Sequence, residues 1–406
     1  MSAFSAPEHD PRTPVGEGSG GHSAVVIGAG LIGASIGFAL HRAGWQVTFD
    51  DVDPERQAQA TVALTHQGPG SAHRGGEIAT TAMSDVTGAL DAPALVVVAV
   101  TPELTGLIVG EAISRYPYAT VIDTASVKSQ PAQEIEASGI DTSRVVLSHP
   151  LGGRATSGPD DASADLFVGR IWALSRFADT ADEHAQRAER AVLDCGAVPY
   201  WVSPESHDEA LAVTSHLPQL VASGLAAAVA DLGRSAAGLS GPALADMTRI
   251  ADSPIEMWNQ IIVSNRGPIA AGLDHLIETL VAVRKALATD DDEAISAATT
   301  ALLLRGRAGR SLIRNKHAGL GGAAIEEQSA ADRWVWVEAT LPDAPGRLAA
   351  ALLAAAAEGI NVEDVELDHA SHAAAGTVAL AVAAEDAPRL RQALAVAFAP
   401  DPDENA

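Results

Sequence analysis

"AVVIGAGLIGASIGFALHRAG", residues 24–44, is the stretch that decides the fold. A β-branched run enters three glycines, Gly28, Gly30 and Gly33, spaced G-x-G-x-x-G, and a helical pattern leaves them. Gly28 permits the tight turn, Gly30 lets a pyrophosphate approach the backbone, and Gly33 allows close packing of helix on strand. The helix opening at Leu31 and Ile32 offers unpaired N–H groups and a partial positive charge to phosphates. An ordinary strand-to-helix turn would also fit the bare glycine spacing. The next run, "WQVTFDDVDP", adds context because it ends in acid. Asp51 is placed to accept the ribose hydroxyls and to repel a 2′-phosphate, which favours NAD over NADP. Asp50 should point to the other face of its strand.

Outward from this stretch, "ALVVVAV", "TVIDTAS", "RVVLSHP" and "RIWALS" continue the alternation of strand and helix to about Val202. That alternation predicts an α/β fold, a Rossmann-type doubly wound and mostly parallel sheet over 22–202. Ligands of such sheets bind at the carboxyl ends of the strands. Thr101 and Asp123 are expected there on the cofactor side, with Ser126 nearby. Residues 203–320 carry long Ala/Leu-rich helical periods and should be all-helical. Residues 321–332 read as a linker. Over 333–398 the order is strand, helix, strand, strand, helix, a small α+β module. Residues 1–21 read as a disordered tail.

Composition narrows the function classes. Among 406 residues, 52 are acidic and 26 basic, for a net charge of −26. Such an excess disfavours nucleic acid and anionic membranes as partners. The single Cys195 excludes an intrachain disulfide, and no metal-ligand spacing occurs. The N-terminus lacks the basic and apolar regions of a signal peptide. The longest uncharged apolar stretch, Leu217–Ala230, is too short to span a bilayer. These features predict a cytoplasmic protein.

"SHPLGG", residues 148–153, ends an apolar run in a loop of small residues beside a histidine. An imidazole with an ordinary pKa near ~6.5 suits proton transfer at neutral pH, although a loop histidine satisfied by water has the same sequence. The ordered set "GAGLIGAS", "DTASVKSQ", "SHPLGG", "TSHLPQ" and "DMTRIADSPIEMW" resembles the prephenate dehydrogenase family over nearly the whole chain after the tail. The resemblance implies a Rossmann domain, a helical domain that forms a homodimer, and an active site between them. It implies oxidative decarboxylation of prephenate to 4-hydroxyphenylpyruvate with NAD. Residue by residue, His149 matches the catalytic histidine and Ser126 the hydroxyl beside substrate and nicotinamide. His216 matches a histidine facing the substrate, Arg249 a carboxylate-binding arginine, and Trp258 a pocket wall. Asp246 would orient Arg249 or His216. On spacing alone, Asp246 and Arg249 read equally well as a solvated helix pair, and His216 as a local helix cap. Two departures stand out. Arg154-Ala155 follows "HPLGG" where some relatives carry a gating glutamate, and Gln219 stands where relatives often have a second histidine.

The segment "VEATLPDAPGRLAALLAAAAEGINVEDVEL" resembles an ACT domain, a regulatory unit that often binds amino acids. Asp343, Gly346, Leu348 and Asn361 would form its ligand pocket, and feedback by L-tyrosine is the expectation. A packing module without ligand is the plainer alternative. Two other functions share these features: arogenate dehydrogenase on the same scaffold, and a non-catalytic NAD-sensing regulator.

Overall fold

A computed structural model describes residues 22–65, 92–152, 158–314, 334–342, 344–368 and 375–398. By compactness the described chain divides into two units. One draws on Val15–Ala226 with Ile250–Leu276, the other on Ala227–Arg249 with Ile277–Ala406. The helices after residue 203 are shared between the two units.

The first unit is built on a seven-stranded sheet. Its strands are β1 (Ser23–Ile27), β2 (Gln46–Asp50), β3 (Leu95–Val98), β4 (Thr120–Asp123), β5 (Val145–Pro150), β6 (Ile171–Arg176) and β7 (Val198–Trp201), in the order β2-β1-β3-β4-β5-β6-β7. All neighbours run parallel except β5 and β6, which are antiparallel. β7 is additional to the six runs legible in the sequence. It carries Pro199 and sits at the sheet edge, where a missing N–H costs no ladder bond.

Near-continuous apolar strands imply that both faces are covered. Val26, Val97, Ile122 and Val146 pack on one side with helices Leu31–Arg42 and Asp182–Asp194. Val25, Val96, Val98, Val121 and Val145 pack on the other with helices Pro102–Arg115 and Ser129–Ser138. Successive residues thus alternate faces, as the pleat requires. The order reverses between β1 and β3, so the crevice of the doubly wound sheet opens at their carboxyl ends.

After β7, helix Pro204–Leu211 passes through a π-turn, Ala212–His216, into helix Leu217–Leu232. This continuous run of 29 residues is long and apolar enough by length and composition alone to cross a membrane, although its uncharged part, Leu217–Ala230, is short. Its first half is, however, tied by buried side chains into the sheet, as described below.

The second unit includes helices Pro242–Thr248 and Asp292–Arg314 and a three-stranded antiparallel sheet. Its strands are β8 (Trp334–Pro342), β9 (Asp364–Asp368) and β10 (Ala375–Ala383), ordered β8-β10-β9. Val337, Leu341, Val378, Leu380 and Val382 form one face. Against it pack Ala351 and Ala355 of helix Arg347–Ala357, and Leu390 and Leu394 of helix Ala387–Ala397.

Candidate active site

The glycine loop meets the demands of a dinucleotide. Gly28 has φ +96°, and a Cβ there would lie 2.2 Å from the Ala99 carbonyl oxygen. A Cβ on Gly33 would lie 1.9 Å from the Gly28 oxygen, whereas one on Gly30 would meet nothing within 4 Å. Two glycines are therefore needed to build the turn, and the third leaves open space where phosphates would sit. No side chain caps the helix at Gly30, so its first N–H groups remain for a ligand. Leu31 and Ile32 turn their side chains to the core, so what they can offer the cofactor is backbone N–H.

Asp51 Oδ2 accepts from the Ala29 N–H at 2.7 Å, and Oδ1 from the Asp53 N–H at 2.9 Å. The carboxylate therefore borders the glycine loop directly. Asp50 points away and pairs with Arg115 at 2.8 Å. Thr101 is exposed at the start of helix Pro102–Arg115.

Asp123 corrects the sequence assignment. It is fully buried, and its carboxylate accepts from Ala125 N–H at 2.9 Å, Ser148 N–H at 2.7 Å and the Lys128 ammonium. All of these donors are protein groups from β5 and from the turn after β4, so Asp123 fastens strand ends and leaves no face to a cofactor. Lys128 Nζ also donates to the Ser148 carbonyl at 2.6 Å. Ser126 is half-buried in the same turn.

His149 stands near the end of β5, partly buried. Its Nδ1 lies 3.0 Å from Nε2 of His207, and the two rings meet edge to face. His207 Nδ1 lies 2.8 Å from Asp208 Oδ1. The Asp208 carboxylate also accepts from the Lys128 and Ser129 backbone N–H groups, each at 2.8 Å. It thereby caps the helix Ser129–Ser138, where a negative charge is favoured. The Asp208 carbonyl accepts from Asn265 Nδ2 at 2.8 Å, and the same amide nitrogen lies 3.0 Å from His216 Nδ1. The π-turn carries His216 into this position, buried against the Trp258 ring at 6.1 Å between centroids. Such turns recur at functional sites. Trp258 Nε1 is buried without a hydrogen-bond partner.

His207, Asp208, Asn265 and Lys128 were not singled out by the sequence reading. "ESHDEAL" offered a His-Asp pair, but nothing local links it to a loop 58 residues earlier.

Electrostatics keeps the two histidines of interest neutral. Burial, with His207, Lys128 and His216 nearby, holds His149 well below its ordinary value. Burial lowers His216 to about 4 against the pull of Asp208. Burial alone would raise Asp208, but hydrogen bonds from His207, Ser129 and Lys128 bring it below the usual carboxylate value.

Residues 54–201 match the family described as "Prephenate dehydrogenase, nucleotide-binding domain", and residues 203–300 match "Prephenate dehydrogenase, dimerization domain". The chain belongs to the prephenate dehydrogenase family. The family match begins after the glycine loop, so the loop stands on its own geometry. A probable prephenate dehydrogenase, NovF, from Streptomyces niveus is 29% identical over 91% of this chain and 96% of its own. The prephenate dehydrogenase of Bacillus subtilis is 28% identical over 66% of this chain and 71% of its own. Among solved structures, Aquifex aeolicus prephenate dehydrogenase with hydroxyphenyl propionate and NAD+ superposes with TM-score 0.57 at 22% identity, over 72% of this chain and 99% of its own. Synechocystis arogenate dehydrogenase gives 0.56 at 22%, over 71% and 98%. At that identity the structural likeness speaks for the fold. As a family member the chain is an oxidoreductase, and its cofactor is NAD.

Of the remaining expected site residues, Asp246 and Arg249 are exposed and belong to the second unit. His216 Nδ1 faces the Asn265 side-chain amide at 3.0 Å. Gln219 is buried and accepts from Ser253 Oγ at 3.4 Å. In the small module Gly346 has φ +84° and opens a helix without a side-chain cap. Leu348 packs on the core, and Asn361 donates to Glu363. Asp343 and the Arg154-Ala155 pair lie outside the described residues.

Proposed function

We propose that the chain oxidises prephenate to 4-hydroxyphenylpyruvate with loss of CO2, in the cytoplasm and as a homodimer. The observation that carries this reading is His149 itself: a neutral imidazole at a strand's carboxyl end, held by His207 on the same sheet edge as the glycine loop. Bound over that loop, NAD supplies the hydride acceptor. His149 takes the proton of the C4 hydroxyl as its carbon loses hydride. Ser126 offers a hydroxyl beside the reacting carbon. The ring carboxylate leaves as CO2, the electron pair of that bond enters the ring to make the phenolate, and the proton held by His149 returns to its oxygen. His216 and Trp258 wall the substrate. Arg249, steadied by Asp246, supplies a planar fork to a carboxylate. Asp51 holds the ribose.

In this reading the Rossmann domain is 22–202, the helical substrate and dimer domain 203–320, and the module 333–398 an ACT-like regulator. L-tyrosine would bind the uncapped helix start at Gly346, with Asp343, Leu348 and Asn361 around it. Exposed Leu303, Leu304, Leu312 and Ile313 support a partner surface on helix Asp292–Arg314.

An NADH-formation assay with prephenate and with arogenate, each with and without tyrosine, tests the substrate and the regulation. Turnover of prephenate and a tyrosine-dependent fall in rate are expected. Preference for arogenate would move the substrate assignment, and no turnover of either would remove it. His149→Asn should lower kcat by ~10²–10⁴-fold with NAD still bound. A near-normal kcat would overturn the role of His149.

A further inference from the structure

We infer that Asp208 is a positioning residue that fixes opposite tautomers on His149 and His216, making one ring a hydrogen-bond acceptor and the other a donor. This rests on the proposed proton transfer to His149, but its geometry stands apart from the identity of the substrate.

The inference follows from what each group can do. A carboxylate only accepts, so His207 Nδ1 at 2.8 Å from Asp208 Oδ1 must carry the hydrogen. A neutral His207 then has a bare Nε2. That nitrogen faces His149 Nδ1 at 3.0 Å, so His149 Nδ1 is the donor and its Nε2 keeps a free lone pair. The second branch starts from the Asp208 main chain. A carbonyl oxygen only accepts, so the Asn265 atom at 2.8 Å is its NH2 group. The same NH2 faces His216 Nδ1 at 3.0 Å, so that ring nitrogen accepts. His216 therefore bears its hydrogen on Nε2.

One residue thus sets both rings through two different atoms. The free lone pair of His149 suits removal of a hydroxyl proton. The N–H of His216 suits a carboxylate or carbonyl oxygen of an anionic substrate, without need of charge on the ring. The charged and titratable groups facing the pair come from the turn after β4 (Lys128, Asp123), from helix Pro204–Leu211 (His207, Asp208) and from the π-turn (His216). Among them Asp208 is the group that holds both branches.

The test is long-range 1H–15N spectroscopy on the full chain labelled at its 13 histidines, with His149→Asn and His216→Asn used to assign the rings. The wild type should show His149 as the Nδ1–H form and His216 as the Nε2–H form. Asp208→Leu removes the acceptor of His207 Nδ1–H, so neither His207 nor His149 is held to one form and His149 should show a mixture of Nδ1–H and Nε2–H. With it kcat should fall ~100-fold or more. Asn265→Asp should reverse His216 alone and raise KM several-fold more than it lowers kcat. If either variant fails to fold, His207 decides. His207→Gln offers an amide oxygen to His149 Nδ1–H and should keep the tautomer and most of kcat, whereas His207→Leu should lose both. Equal tautomers on the two rings in the wild type would overturn the inference. So would folded variants that leave the ring forms unchanged. A wild type with the stated tautomers but no turnover of prephenate would instead reject only the substrate.

Discussion

The ammonium of Lys128 and the carboxylate of Asp123 meet with neither side chain exposed to solvent. Removing one partner of a buried pair leaves the other charge without compensation, at a cost of about 3–5 kcal/mol. Lys128→Met should therefore lower unfolding free energy by roughly 3 kcal/mol or more in urea titration. It should also disturb Ser148, whose carbonyl it holds, and so the backbone that carries His149. A variant as stable as the wild type would show that the pair contributes nothing.

The glycine loop makes a contrasting pair of substitutions informative. Gly33→Ala places a Cβ 1.9 Å from the Gly28 oxygen, so the loop must shift and Tm should fall even without cofactor. Gly30→Ala meets nothing within 4 Å, so Tm should hold while the Kd for NAD rises, because the methyl occupies phosphate space. Calorimetry and NAD titration on the two variants separate building the turn from binding to it.

Cofactor choice should respond to Asp51. Arg56 NH1 lies 3.8 Å from its Oδ1. In Asp51→Ser the acid that repels a 2′-phosphate is gone and the guanidinium remains. The ratio of kcat/KM for NADP over NAD should rise about tenfold or more, a change of ~1.4 kcal/mol. An unchanged ratio would mean the ribose is read elsewhere.

Acid should weaken the fold through His216. Its folded pKa is lowered from the ordinary 6.5 to about 4. Between those values the unfolded chain binds a proton that the folded chain refuses. Stability from this group is thus present above the ordinary value and is lost as pH falls towards about 4. Denaturant titration over that window should show a slope that His216→Asn reduces. The acid limb of kcat/KM should likewise lie below the ordinary histidine value, since His149 is lowered too.

The sequence made the architecture legible because strand, turn and helix are local patterns. Alternation in "AVVIG" and "ALVVVAV" identifies buried strands, and glycine spacing identifies the turn between β1 and its helix. β7 was missed because V-P-Y-W has an edge strand's proline and little apolar run. The site was legible only where residue type and local context agree, as at His149 and His216. Asp208 and Asn265 act across 80 and 57 residues of chain, and no pattern within a window reports such a bond. Asp123 misled for the opposite reason: a strand-end acid looks ligand-facing until its donors are counted.

The capping of helix Ser129–Ser138 by Asp208 has a practical corollary for storage and heat treatment. Opening that one clasp would release the cap, His207 and the hold on His216 together while the seven-stranded sheet stayed intact. Loss of enzyme activity on warming should then run ahead of loss of sheet signal, and recover on cooling.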